Sequence, residues 1–161
     1  MVLSNSAMSE IRIAQPDDKE TIQRIYHAAV GSHADQDEAR WDRLIQQGGL
    51  VVATEEGRII GFGGIDVHAA EQVKWLYLLL QHQGAGFGSE ILQHLESIGW
   101  DAGLASLRVH SAPGAVNFYR RHGYRLVEIA AQMRHDHEGV EMMKERRQAG
   151  DERFAGEHRR D

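Results

Sequence analysis

Residues 73–89 read VKWLYLLLQHQGAGFGS. The first eight are almost wholly apolar (Val73, Trp75, Leu76, Tyr77, Leu78, Leu79, Leu80). A short run of this density, bounded by turn residues, predicts a strand buried on both faces and hence the centre of a sheet. Gly84, Gly86 and Gly88 follow at once, and Phe87, Ile91, Leu92, Leu95 and Ile98 then recur at helical spacing. Strand, glycine loop and helix in that order can cradle phosphate. Amides at a helix amino terminus lack intrahelical partners, the helix dipole puts partial positive charge there, and glycines let a pyrophosphate approach the backbone.

Two common phosphate loops do not fit. A dinucleotide fingerprint starting at Gly84 needs glycine or alanine where Ser89 stands, and one starting at Gly86 needs it where Ile91 stands. It would also follow the first strand of its fold, whereas this loop follows the fourth. An ATP-type loop ends in lysine and Ser/Thr, and no lysine lies between Lys74 and Lys144.

Working outward, Glu10 to Ala14 alternates as a short strand, and Pro16, Asp17 and Asp18 open a helix carrying Ile22, Ile25, Tyr26 and Ala29. Asp35 to Gln47 reads as a second helix with Trp41, Leu44 and Ile45 on one face, closed by Gly48 and Gly49. Leu50 to Thr54 and Arg58 to Val67 form a hairpin about Glu55, Glu56 and Gly57, with Gly61, Gly63 and Gly64 marking a bulge. After the glycine loop and its helix come a strand over Leu104 to His110 and a helix over Pro113 to Arg121. Strands over Gly123 to Met133 and Gly139 to Met143 complete the pattern. Residues 1–9 read as a leader, 10–143 as one folded domain, and 144–161 as a solvated tail with six basic and five acidic residues.

Composition narrows the class. The 161 residues leave no room for a second domain. There is no cysteine, which excludes a disulfide framework, a thiolate zinc site and a cysteine nucleophile. Eighteen Lys and Arg against 24 Asp and Glu give a net charge of −6 with no basic stripe, so no nucleic-acid partner is expected. No stretch approaches the roughly 18 to 20 apolar residues of a membrane span, and no signal peptide is evident. A cytoplasmic location without membrane association is the expectation. His135 and His137 share one side of a strand, with Asp136 opposite, but two ligands make an incomplete metal site, and no metal is expected.

In its motifs the chain resembles the GCN5-related N-acetyltransferases, the GNAT family. Gln83, Gly86 and Gly88 match that family's acetyl-CoA loop, written Gln or Arg, two residues, Gly, one residue, Gly or Ala. About thirty residues on, Ala115, Phe118, Tyr119, Gly123 and Tyr124 in SAPGAVNFYRRHGY match its closing helix. The resemblance implies an α/β (α+β) three-layer fold. Its mixed, mostly antiparallel sheet of about six to seven strands is flanked by about four helices and splayed at the centre to admit the cofactor.

It also implies an enzyme that moves the acetyl group of acetyl-CoA to a primary amine by direct attack. Backbone at Gln83, Gly84, Ala85, Gly86, Gly88 and Ser89 would hold the pyrophosphate. The Leu78 amide would meet the thioester carbonyl, and Leu79 and Leu80 would line the pantetheine arm. Tyr119 would protonate the departing thiolate. Where many relatives carry an asparagine on the arm, this chain has Ala112, and Ser111 is the candidate substitute. For the general base, His110 is preferred for its place before the closing helix, with Asp66, His68, Glu71, Tyr77 and water as alternatives. The acceptor is expected to be a small-molecule or peptide amine. Asp35, Asp37, Glu38 and Asp42 would favour a cationic one, although acids at a helix start also serve the helix dipole. A homodimer is compatible with the class. The competing reading is a non-catalytic acyl-CoA-binding or regulatory module on the same fold.

Overall fold

The structure, a computed structural model, describes residues 9–31, 37–127 and 139–147. The chain divides into two compact units, Met1–Ala102 and Gly103–Asp161, a division that the length argument did not anticipate.

In the first unit, β1 (Ser9–Ile13) leads through a 3₁₀ turn (Pro16–Asp18) into α1 (Lys19–Val30), followed by α2 (Glu38–Gln47). Then come β2 (Leu50–Glu55), β3 (Arg58–Ile65), β4 (Val73–Leu78), a second 3₁₀ turn (Leu80–His82) and α3 (Phe87–Asp101). The strands lie in the order β1-β2-β3-β4 and each neighbouring pair is antiparallel. Glu56 (φ +53°) and Gly57 (φ +79°) make the two-residue turn of the β2–β3 hairpin, both left-handed as the twist of the flanking strands requires.

Consecutive residues of β3 face opposite sides, and its glycines show what covers each side. A Cβ on Gly63 would stand 2.5 Å from Ile91 Cγ2 and 3.0 Å from Leu95 Cδ1, so α3 lies directly on that face. A Cβ on Gly64 would stand 2.7 Å from the Trp75 ring and 2.8 Å from Leu50 Cδ2, on the face covered by α1 and α2. There Ile22, Ile25, Tyr26, Trp41 and Leu44 pack with Val52, Phe62 and Trp75. Trp41 stacks on Trp75 at 4.1 Å and 7°, and Tyr26 meets Trp41 edge-on at 5.3 Å. Gly63 and Gly64 of β3 therefore admit helix and indole. Register shifts do occur, between Ala53 and Thr54 opposite β3 and between Gly64 and Ile65 opposite β4.

Caps place the helices. Asp37 accepts the Arg40 amide (3.2 Å) at the start of α2, and Gly48 (φ +73°) ends it, with Gly48 N–H to Ile45 O and Gly49 N–H to Leu44 O. Asp18 accepts the Gln15 amide (2.7 Å) and both Arg12 Nη groups (2.8 and 3.1 Å). Those Arg12 bonds, against the opposing effect of burial, hold the Asp18 carboxyl below its ordinary pKa. A carboxylate with a depressed folded pKa contributes stability above its unfolded pKa of about 4 and loses it as pH falls through the folded value. Asp18→Asn is therefore expected to cost about 1–2 kcal/mol at pH 7 and progressively less below pH 4. Urea melts at pH 7 and pH 3 check this; an equal loss at both would contradict it.

The second unit holds β5 (Ser106–Ser111), a 3₁₀ turn (Pro113–Ala115), α4 (Val116–Arg121), β6 (Arg125–Leu126) and β7 (Val140–Glu145), its strands ordered β5-β7-β6 and antiparallel. Among the described residues the two units hold seven strands and four α-helices, and the pairings within each are antiparallel, which realises the mostly antiparallel α/β class expected from the sequence.

Several boundaries differ from the sequence reading. Ser9, placed in the leader, pairs with Glu55. β3 stops at Ile65 because Asp66 N–H turns to Gln72 O. β7 continues to Glu145, where Lys144 stacks over the Tyr124 ring at 5.8 Å. β4 is the main correction: it ends at Leu78, Leu76 to Leu79 are only half-buried, and Leu80 is 81% exposed. Asp35, most of the strand expected to reach Met133, the 135–137 histidine pair and most of the tail lie outside the described residues.

Candidate active site

The glycine loop begins five residues past the end of β4 at Leu78. Leu79 N–H donates to Ile60 O (2.9 Å). Because amides alternate along a strand, that bond turns the Leu78 amide away from β3. Gln83 Nε2 reaches back to Leu78 O at 3.4 Å. Gly84 (φ +88°) and Gly86 (φ +92°, ψ −4°) then adopt left-handed conformations that glycine takes without strain. A Cβ at either would meet nothing within 4 Å, so the loop presents bare backbone to open space. Gly86 is the N-cap of the 15-residue α3 and supplies no side-chain capping bond. Phe87, Gly88 and Ser89 form the first turn, where amides have no intrahelical acceptor and the dipole is positive. With Ala85 exposed between the two glycines, the arrangement fits a pyrophosphate.

Leu76 to Leu80, with Gln81 and Gln83, line one wall of a cleft of about 520 Å³, and Ile25, Ala28 and Ala29 of α1 line the other. None of these lining side chains is charged. Tyr77 stands in it half-buried, its phenol pKa raised first by burial and then by neighbouring Tyr26. The half-exposed leucines of β4 are thus a cleft wall, which explains an apolar run that is not core.

In the second unit Tyr119 is 6% exposed, its ring between Phe118 (5.2 Å, 80°) and Tyr124 (5.4 Å, 73°). Its carbonyl accepts the amides of His122 and Tyr124, and Gly123 (φ +93°) makes the exit turn possible. The glycine and tyrosine of the second motif therefore close α4. His110 is half-buried on β5, opposite Glu141 of β7. Ser111 is buried and its hydroxyl donates to the Ala112 carbonyl (2.8 Å), a local structural bond rather than a group presented to a ligand.

Other candidates are occupied elsewhere. Asp66 is buried, with Oδ2 on Arg43 Nη2 (2.7 Å) and Oδ1 on the His68 amide (3.1 Å), so it anchors the turn after β3 and is not an available base. His68 is exposed and Glu71 half-buried in that turn. Glu38 and Asp42 both pair with Lys19 (2.8 and 2.7 Å) while Asp37 caps α2, so the acids near α2 serve structure. Among the described residues no group of three His, Cys, Asp or Glu could hold a metal ion, and no helix is long and apolar enough to cross a membrane. Residue order alone does not single out His82, whose ring Nε2 lies 2.9 Å from Glu55 Oε1; the partner stands 27 positions away with no periodic relation to it.

A family model described as an acetyltransferase (GNAT) domain matches residues 17–146. The chain belongs to the GNAT family. The match runs through the glycine loop and the closing-helix motif of this GNAT chain and spans both compact units. Solved structures share the fold. Ard1 from Thermoplasma volcanium superposes with a TM-score of 0.70 at 19% identity, over 88% of this chain and 99% of that one. The PaiA N-acetyltransferase of Thermoplasma acidophilum, complexed with coenzyme A, does so at 0.60 and 19%, over 86% and 99%. N-acetylglutamate synthase from Neisseria gonorrhoeae, complexed with coenzyme A and N-acetylglutamate, does so at 0.70 and 13%, over 87% of this chain and 35% of that one. This GNAT chain thus spans about a third of the synthase. No curated protein sequence matches it.

Proposed function

We propose that this chain is an acetyl-CoA-dependent N-acetyltransferase that acts on a primary amine by direct attack, with the residues from β1 to β7 (9–145) as its catalytic part, working in the cytoplasm. The observation that carries the reading is the loop from Gln83 to Gly88: two left-handed glycines with open space above them, leading into a 15-residue helix with no side-chain cap bond, directly after a strand end whose Leu78 amide is turned away from β3. Coenzyme A bound to two relatives of the same fold supports the ligand.

Acetyl-CoA would supply an acetyl group activated as a thioester. Amides of the loop and of the first turn of α3 would hold its pyrophosphate, and the uncharged cleft along Leu78, Leu79 and Leu80 would take its arm. The Leu78 amide would stabilise negative charge developing on the carbonyl oxygen. As the amine nitrogen bonds to the carbonyl carbon and the C–S bond breaks, the Tyr119 phenol would give its proton to the leaving sulfur. His110 would accept the proton that the amine sheds.

Thermal-shift titration with acetyl-CoA, NADH and ATP, followed by thiol release against a panel of amines, tests the reading. Stabilisation by acetyl-CoA alone and acceleration by at least one amine are expected. Stabilisation by NADH or ATP instead would overturn the ligand, and binding with no amine-dependent release would make the chain a non-catalytic CoA-binding module.

A further inference from the structure

We infer that His82, tethered to Glu55, is a positioning residue that sets acetyl-CoA affinity by fixing how the glycine loop leaves β4; this rests on the acetyl-CoA reading above. His82 ends the 3₁₀ turn Leu80–His82, and its amide donates to Leu79 O (2.9 Å). Its ring Nε2 lies 2.9 Å from Oε1 of Glu55, the last residue of β2. The same ring meets Phe87, the first residue of α3, nearly edge-on at 6.3 Å and 74°. One side chain therefore joins the hairpin end to both ends of the loop. Between those ends Gly84 and Gly86 carry no side chain and have nothing within 4 Å of where one would start.

The ring's other nitrogen makes the case more specific. His82 Nδ1 is buried and has no hydrogen-bond partner among the described residues. A residue needed only for packing against Phe87 would do better as phenylalanine, which leaves no nitrogen unpaired. What phenylalanine cannot supply is the bond to Glu55. Glycines lose more conformational freedom on ordering than other residues, so a loop built on them binds best when its entry is fixed in advance.

His82→Phe keeps the ring and its contact with Phe87 and deletes the tether. Isothermal titration is expected to show CoA affinity about tenfold weaker, with KM for acetyl-CoA raised by a similar factor and KM for the amine unmoved. Glu55→Ala, at a half-exposed strand end, should weaken affinity to the same extent, Glu55→Gln should stay near wild type, and the double variant should be no worse than either single one. Thermal melts identify a variant that has not folded, in which case the Glu55 pair carries the test. CoA affinity of His82→Phe within twofold of wild type, or losses that multiply in the double variant, would overturn the tether. A wild-type chain that binds no CoA would overturn the acetyl-CoA reading itself and this inference with it.

Discussion

Tyr119→Phe is expected to lower kcat by about 10²–10⁴-fold, the range general-acid catalysis supplies. The substitution removes one oxygen and keeps the ring between Phe118 and Tyr124, where it is 6% exposed. Packing that fixes the ring should hold the phenyl group in the same place, so affinity for CoA should change little. The loss then falls on the step in which sulfur departs and needs a proton. It should be smaller with an acetyl thioester whose leaving thiol is more acidic, because that thiolate departs without help. Steady-state thiol release with acetyl-CoA and with an aryl thioester measures both. A kcat within threefold of wild type would show that another group or water protonates the sulfur.

The second large effect is on binding. Gly86→Val puts a β-branched residue at φ +92°, ψ −4°, a region such residues avoid, and it places a side chain over the first amides of α3. The Cβ would meet nothing within 4 Å in the free protein, and the loop is exposed, so folding should survive. The ligand, however, would have to occupy the space above that backbone. Isothermal titration should show CoA affinity weakened by about 100-fold or more, roughly 2.7 kcal/mol. Unchanged affinity would mean that CoA, if bound at all, does not lie on this helix end.

Much of this was legible from residue order because it depends on local rules. The hairpin could be read from alternation on either side of Glu56 and Gly57, and α2 from its apolar face and its closing glycines. The glycine loop could be located because a strand and a helix of opposite periodicity flank it. What stayed hidden depends on partners far apart in the chain. The apolar run to Leu80 reads as core because hydrophobicity cannot distinguish a strand interior from a cleft wall; only the position of Ile25, Ala28 and Ala29 does so. Asp66 looks like a free strand-end carboxylate until Arg43, 23 positions earlier, is placed on it. Glu38 and Asp42 look like a binding rim until Lys19 lies between them. Gly63 and Gly64 read as marks of a bulge, yet each is also the site of a close approach that a side chain would block.

The central claim is that this chain joins the acetyl group of acetyl-CoA to an amine nitrogen. Its most direct test is mass spectrometry of the amine that most accelerates thiol release, run beside quantitation of free CoA thiol. The account predicts one N-acetylated amine for each thiol released, with both falling together in Tyr119→Phe. Thiol release without acetylated amine, or no acetylated product from any amine in the panel, would contradict it.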